Sequence, residues 1–352
     1  MVTVFNYNES FTLESGVTLP GYHLAYTTHG KLNAAKDNVV WIFHALTANS
    51  NPLEWWPGLA GEGKVIDPAK YFIICVNKPG SPYGSISPLS NNPQTHQPYY
   101  HDFPVFTVRD MIKTYQKLKD SLGISRIFMA LGGSTGGMQL LEWAIEEPEL
   151  FEHIVPIATN AVLSPWGIAF NASQRLAIEA DTTWLERKQD AGQKGMAAAR
   201  SIALLSYRSY YGYDITQPRN KAFVGLNRNV EYASDNYQRY QGLKLVNRFN
   251  AICYYRLTQS MDSHDVGRSR GGVENALKRI TARTLVIGIS SDVLYPITEQ
   301  EYLREKINGA QLLTIASDYG HDGFLLEYEK IESAIEKFIN EKSSHRLKIV
   351  NG

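Results

Sequence analysis

Ser134, Asp292 and His321 stand in the chain order and local settings that a serine nucleophile needs. Ser134 lies in Gly132-Gly133-Ser134-Thr135-Gly136, a G-x-S-x-G pattern. The apolar run Ile127 to Leu131 before it reads as a buried strand, and Gly137 to Ile145 after it reads as a helix. This is the sequence form of a nucleophile elbow, where a strained turn projects the serine hydroxyl into a cleft. Gly132 and Gly136 bring no side chain into the bend, and the helix N-terminus offers free N–H groups to a developing anion. Taken alone, the same residues would also suit an ordinary glycine-rich strand-to-helix turn. A hydroxyl is a weak nucleophile; it needs a general base, and the base needs an orienting carboxylate. His321 follows the strand-like run Leu312 to Ile315, and Asp292 follows Leu285 to Ile289. Both therefore sit just past strand ends, where they can converge on Ser134. Asp318 and Asp322 compete with Asp292 as the acid, but lie too close to His321 in sequence to brace it from another loop. His264 falls in a helical region and is the poorer base.

The elements that must position these residues follow from the apolar pattern. Val2 to Asn8, Phe11 to Ser15 and His23 to Thr28 read as early strands, and Val39 to Leu46 and Tyr71 to Val76 as fully buried ones. Asn77 to Pro104 is a long polar loop. Val108 to Leu118 is a helix with Val108, Met111, Ile112, Tyr115 and Leu118 on one face. Ile154 to Ala158, Thr284 to Ile289 and Gln311 to Ile315 continue the strands, and Ile331 to Ile339 forms a closing helix. Between Ser164 and Gly272 strand signals nearly vanish, and helices are expected over 168–181, 195–210 and 231–258. Strands alternating with helices imply an α/β fold, a mainly parallel central sheet covered by helices. Residues 1–163 and 273–352 would form this core, and 164–272 an inserted helical lid over the strands' C-terminal ends, where ligands bind in such sheets.

Charge and composition exclude several functions. Thirty-five Lys and Arg balance 35 Asp and Glu, so bulk electrostatics favour neither nucleic acid nor an acidic membrane. Two cysteines, Cys75 and Cys253, give neither a disulfide framework nor a zinc spacing. The N-terminus lacks the basic-then-apolar pattern of a signal peptide, and no apolar stretch is long enough to span a bilayer, so the expected location is the cytoplasm. Lys342 to Lys348 reads as a solvated tail. An oxyanion hole needs two backbone N–H groups. Thr135, after the nucleophile, would supply one, and Leu46, in the loop His44-Ala45-Leu46-Thr47-Ala48-Asn49, the other.

The chain resembles the homoserine O-acetyltransferases of the α/β-hydrolase superfamily. The likeness rests on His44-Ala45-Leu46-Thr47, Gly61-Glu62-Gly63-Lys64, Phe103-Pro104 through Met111, and Gly132 through Trp143. It continues in Gln174 through Asp181, Ser206-Tyr207-Arg208-Ser209, Ser291-Asp292 with Tyr295-Pro296, and Gly320 through Leu325. The resemblance implies ping-pong acyl transfer from acetyl-CoA to the hydroxyl of homoserine, in methionine synthesis. It also implies a lid that forms a homodimer contact, with acetyl-CoA as co-substrate and no metal or redox cofactor. By the same resemblance Arg208 would bind the substrate carboxylate and Asp322 its ammonium, with Tyr213 a further candidate. Arg175 and Glu179, four apart, would form a structural pair. Two departures stand out. The family usually has methionine where this chain has Thr135, and the loop Gly80 to Pro88 differs from the family's Gly-Cys-x-Gly-Ser-Thr-Gly-Pro run. The alternatives are a serine or homoserine O-succinyltransferase, an acetyltransferase for another alcohol, an esterase, or a binding protein on a decayed hydrolase scaffold. A succinyl donor calls for a cation near its far carboxylate; Leu46 to Pro52 holds no Arg or Lys, which favours acetyl.

Overall fold

The strands assemble because their side chains are apolar on both sides. In the computed structural model, which describes residues 1–219, 222–224 and 230–341, strand β3 (Val39–Phe43) is buried at every position. Alternate residues face opposite ways. Trp41 and Phe43 enter one core with Tyr115 and Trp143, while Val40 and Ile42 enter the other with Ile73, Leu131 and Phe338. The remaining sheet strands are β1 (Val2–Tyr7), β2 (Tyr22–His29), β4 (Phe72–Val76), β5 (Ile127–Gly133), β6 (Phe151–Ile157), β7 (Arg283–Ile289) and β8 (Gln311–Ile315). Their order is β1-β2-β4-β3-β5-β6-β7-β8. The β1–β2 and β2–β4 pairs are antiparallel, and every later pair is parallel. The early strand expected over Phe11 to Ser15 is reduced to Phe11–Thr12, which pairs with Thr18–Leu19 outside this sheet.

Helices α1 (Val108–Ser121) and α2 (Thr135–Glu146) cover one face. A capping box fixes the start of α1: the Thr107 hydroxyl accepts from the Asp110 N–H, and Asp110 accepts from the Thr107 N–H. Between β6 and β7 the chain forms α3 (Pro165–Glu179), α4 (Gln193–Tyr207), α5 (Tyr210–Thr216), α6 (Ala233–Val246) and α7 (Ala251–Asp262). Two sequence expectations change here. The helix expected over 195–210 stops at Tyr207, because Arg208 is extended and the Ser209 hydroxyl caps α5 by accepting from the Gly212 N–H. The helix expected over 231–258 is two helices; Asn250 accepts from the Cys253 N–H and starts a new one. A two-stranded ribbon, Ala222–Val224 with Val230–Tyr232, also lies in this segment. The helix α8 (Ile297–Lys306) packs on β7, and α9 (Tyr328–Asn340) buries Ile331, Ile335 and Phe338 against the second core. No helix among the described residues is long and apolar enough to cross a membrane. Lys342 to Lys348, read as a tail, lies outside the described residues.

An ion-pair lattice fastens α2 to the segment returning from the lid. Glu142 accepts from Arg109 at 2.7 Å and from Arg270 at 2.5 Å, and Glu14 accepts from Arg268 at 2.7 Å. Burial pushes the Glu142 carboxyl up, but the bonds and charges of Arg270 and Arg109 outweigh it and hold the group below its ordinary value. A depressed carboxyl contributes stability that is present above its unfolded pKa and lost as pH falls through the folded one. Glu142→Gln removes one carboxylate from Arg109, which keeps Glu14, and from Arg270, which keeps Glu146, and is expected to cost about 1–3 kcal/mol in chemical denaturation, while removing part of the acid-side loss of stability.

Candidate active site

Crowding at the end of β5 sets the site. Ser134 has φ 56° and ψ −124°, in the left-handed region that a serine occupies only under constraint. The constraint is visible. Its N–H donates to the Ile157 carbonyl at 2.9 Å, and its carbonyl accepts from the Thr159 hydroxyl at 2.9 Å. A β-carbon at Gly132 would overlap the Gly136 backbone, and one at Gly136 would overlap the Phe43 carbonyl. The two glycines of the motif are thus required by close approach, and the bend leaves Ser134 between β5 and the N-terminus of α2.

His321 and Asp292 come from the loops after β8 and β7. The His321 Nδ1 and the Asp292 Oδ2 are 2.6 Å apart. Asp292 Oδ1 accepts from the N–H groups of Leu294 and Tyr295 at 2.8 and 2.9 Å, so both carboxylate oxygens are occupied. With Asp292 ionised, Nδ1 carries the proton and Nε2 is the ring nitrogen left for exchange. Burial alone would lower the imidazole's pKa; the Asp292 charge and hydrogen bond, with Asp322 adding to them, raise it instead. Tyr207, Tyr295 and Phe324 pack around the ring at centroid distances of 5.7, 5.1 and 5.2 Å. Ser134 and His321 line one cavity of about 70 Å³, together with Leu46, Arg200, Tyr207 and Asp322. Leu46 lines the Ser134 cavity and Thr135 follows the nucleophile in α2, and among the described residues neither N–H donates a hydrogen bond.

Arg208 and Asp322 pair with each other at 3.1 Å. Asp322 borders the Ser134 cavity, and Arg208 borders a second one, about 270 Å³, with Tyr213 and Tyr237. Arg208 Nη2 also donates to the Tyr237 hydroxyl at 3.2 Å, while its Nε and the Tyr213 hydroxyl are buried without a partner among the described residues. Burial pushes the Tyr213 phenol up to about 12, so it remains a donor at neutral pH. Extended Arg208 depends on Gly320: at φ 65°, a β-carbon there would come within 2.7 Å of the Arg208 backbone. The Ser209 hydroxyl also donates to the Asp318 carbonyl, so the lid rests directly on the His321 loop.

Other candidates fall elsewhere. The His264 Nε2 contacts the Asn160 carbonyl at 2.8 Å, and His264 does not line the Ser134 cavity. Arg175 and Glu179 do not pair as spacing implied: Arg175 bonds Asp262 at 2.7 Å and Glu179 accepts from Tyr255 at 2.6 Å, because each faces α7 rather than its neighbour. Several residues around Ser134 escaped the sequence reading. Arg200 lies over the Tyr207 ring at 5.2 Å and meets no carboxylate within ion-pair distance among the described residues. Arg248 donates to the Thr47 carbonyl at 2.5 Å and to the Tyr83 hydroxyl at 2.8 Å, tying the lid to the divergent 80–88 loop. The lid thus brings cations to a loop that has none of its own. Lys78, in the long loop, is buried beneath Thr135, and the hydroxyl at position 135 was the one available sign that a polar partner must exist. Among the described residues no group of three or more His, Cys, Asp or Glu side chains could hold a metal.

The sheet, the elbow and the paired acid and imidazole define an α/β hydrolase, and the family model of the alpha/beta hydrolase fold matches residues 38–328. Within that fold, the chain is 46% identical over 340 residues to a homoserine O-acetyltransferase of Cyclobacterium marinum, covering 97% of this chain and 95% of the relative. A homoserine O-acetyltransferase structure from Bacillus anthracis superposes with TM-score 0.89 at 26% identity over 98% of both chains. An acetylester hydrolase from Corynebacterium glutamicum shares the fold, with TM-score 0.84 at 22% identity over 97% of this chain and 96% of that one. The chain belongs to the homoserine O-acetyltransferase family, and it is an acyltransferase of that kind.

A raised His321 pKa fixes the sign of one pH dependence. A base must be neutral to accept a proton, so fluorophosphonate labelling of Ser134 is expected to rise with pH along a limb centred above the ordinary imidazole value of about 6.5. Asp292→Asn is expected to shift that limb to lower pH and to slow the reaction by roughly 10⁴.

Proposed function

We propose that this protein transfers an acetyl group from acetyl-CoA to the side-chain hydroxyl of L-homoserine, by a ping-pong reaction in methionine synthesis. The observation that carries the reading is the adjacency of two sites: the Ser134 cavity and the Arg208–Tyr213 cavity meet at the Arg208–Asp322 pair. The names of the relatives supply the acetyl group and the homoserine.

His321 Nε2 takes the Ser134 proton as the hydroxyl attacks the thioester carbonyl. Asp292 holds the imidazole and stabilises its cation. The N–H groups of Leu46 and Thr135 receive the oxyanion, a contact typically worth ~3 kcal/mol per donor. The tetrahedral intermediate then expels CoA as its thiol, with the proton returned by His321, and leaves Ser134 acetylated. Homoserine binds with its carboxylate on Arg208 and the Tyr213 hydroxyl and its ammonium on Asp322, so each half of the resting ion pair is met by the complementary end of the substrate. His321 removes the acceptor's hydroxyl proton as that oxygen attacks the acyl-enzyme, and Ser134 is released. The first cavity holds roughly six waters at about 12 Å³ each, room for an acetyl group.

A succinyl donor is the second reading, and Arg200 is the observation that favours it: a cation in the wall of the Ser134 cavity without a carboxylate partner among the described residues. Exposed Leu205, Tyr240 and Leu243 on α4 and α6 support a homodimer through the lid. Cys75 and Cys253, both free and buried, suit a reducing compartment such as the cytoplasm.

The deciding experiment crosses acetyl-CoA and succinyl-CoA with homoserine and serine and follows thiol release. Turnover is expected for acetyl-CoA with homoserine. Turnover with none of the four pairs would overturn the transferase reading, and thiol release independent of the acceptor would make the protein a hydrolase. Ser134→Ala is expected to abolish turnover, and Arg208→Ala to raise the homoserine KM by roughly 10²-fold with a smaller effect on kcat.

A further inference from the structure

Lys78 is only 1% exposed, yet no carboxylate among the described residues lies within ion-pair distance of it. Its ammonium has two partners. One is the His44 carbonyl at 2.8 Å; the other is the Thr135 hydroxyl, also at 2.8 Å. Its own N–H donates to His44 Nε2 at 3.2 Å, which leaves that imidazole as an acceptor. The titratable groups that face it, His44 and Cys75, are held neutral by burial, the first with its pKa driven well down and the second with its pKa driven up. Nothing there compensates the lysine's charge, and burial lowers its pKa to about 7. Placing it at the positive end of α2 adds a further cost. A buried, uncompensated cation is expensive, and a wall residue with no other task would be apolar.

The two partners of the ammonium belong to the two segments expected to receive the oxyanion. Thr135 opens α2, and His44 ends two residues before Leu46 in the loop after β3. No other side chain among the described residues bridges His44 and Thr135. We propose that Lys78 is a positioning residue for the oxyanion site, with its ammonium holding Thr135 and the His44–Leu46 loop at one spacing. The Thr135 hydroxyl is the receiving half of this tether, which gives the departure from methionine at that position a purpose. The distance between two oxyanion donors matters most when the carbonyl oxygen gains charge, so the tether acts on the transition state more than on bound substrate. The inference rests on Ser134 as nucleophile and not on the identity of donor or acceptor.

The test uses the full chain and p-nitrophenyl acetate, which reports acylation whatever the natural substrate, with sites counted by fluorophosphonate labelling. Affinity for methylboronic acid, which forms a tetrahedral adduct on the serine, reads the oxyanion site directly. Lys78→Met is expected to lower the acylation rate per labelled site at least tenfold and to weaken the boronic acid by a similar factor. The p-nitrophenyl acetate KM should stay within twofold. Thr135→Val keeps the backbone N–H and removes only the hydroxyl, and should act in the same direction; the double variant should be no worse than Lys78→Met alone. If Lys78→Met does not fold, Thr135→Val carries the test. Unchanged rate and boronic acid affinity per labelled site, a rate loss that the affinity does not follow, or additive losses in the double variant would overturn the proposal. Failure of the wild-type chain to label at Ser134 would overturn the nucleophile reading and this inference with it.

Discussion

The approach of Gly136 to the Phe43 carbonyl is the constraint on which the rest of the molecule is built. That contact presses the start of α2 onto the end of β3 and forces Ser134 into the left-handed region. The strain is held by bonds from neighbouring strands: the Ile157 carbonyl at the end of β6 and the Thr159 hydroxyl beyond it. Those strands are in turn fixed by two cores that use alternate residues of β3, so the bend cannot relax without disturbing both faces of the sheet. Strain of about 1–3 kcal/mol persists only where its surroundings over-determine it, and here they do.

Much of this was legible in the sequence because it depends on local pattern. Continuous apolar runs gave the buried parallel strands, since such strands need no polar face. Glycine spacing located the elbow, and strand ends located Asp292 and His321, whose 2.6 Å contact joins loops that are far apart in sequence. The divisions inside the lid were harder to see. Asn250 and Ser209 each accept an N–H bond and begin a new helix, and single capping side chains do not interrupt an apolar period strongly enough to be read.

Partner choice was the least legible of all. Arg175 and Glu179 have helical ion-pair spacing, yet each turns to α7, because the facing helix offers Asp262 and Tyr255. Lys78 read as part of a polar loop, although the fold buries it fully. Spacing reports which residues share a face, whereas the identity of the neighbour across that face is set by packing. The loop Leu46 to Pro52 shows the same limit, since the cation bonded to it, Arg248, comes from the lid.

Gly320 seats the Arg208 backbone directly on the turn that carries His321, and Ser209 bonds the carbonyl two residues upstream of that glycine. The cover of the active site and the proton acceptor are thereby mechanically joined. A displacement of the cover therefore loads the turn that carries the imidazole. In the proposed acyl-enzyme, that coupling would disturb the base whenever the entrance opened, and so would disfavour hydrolysis by an entering water.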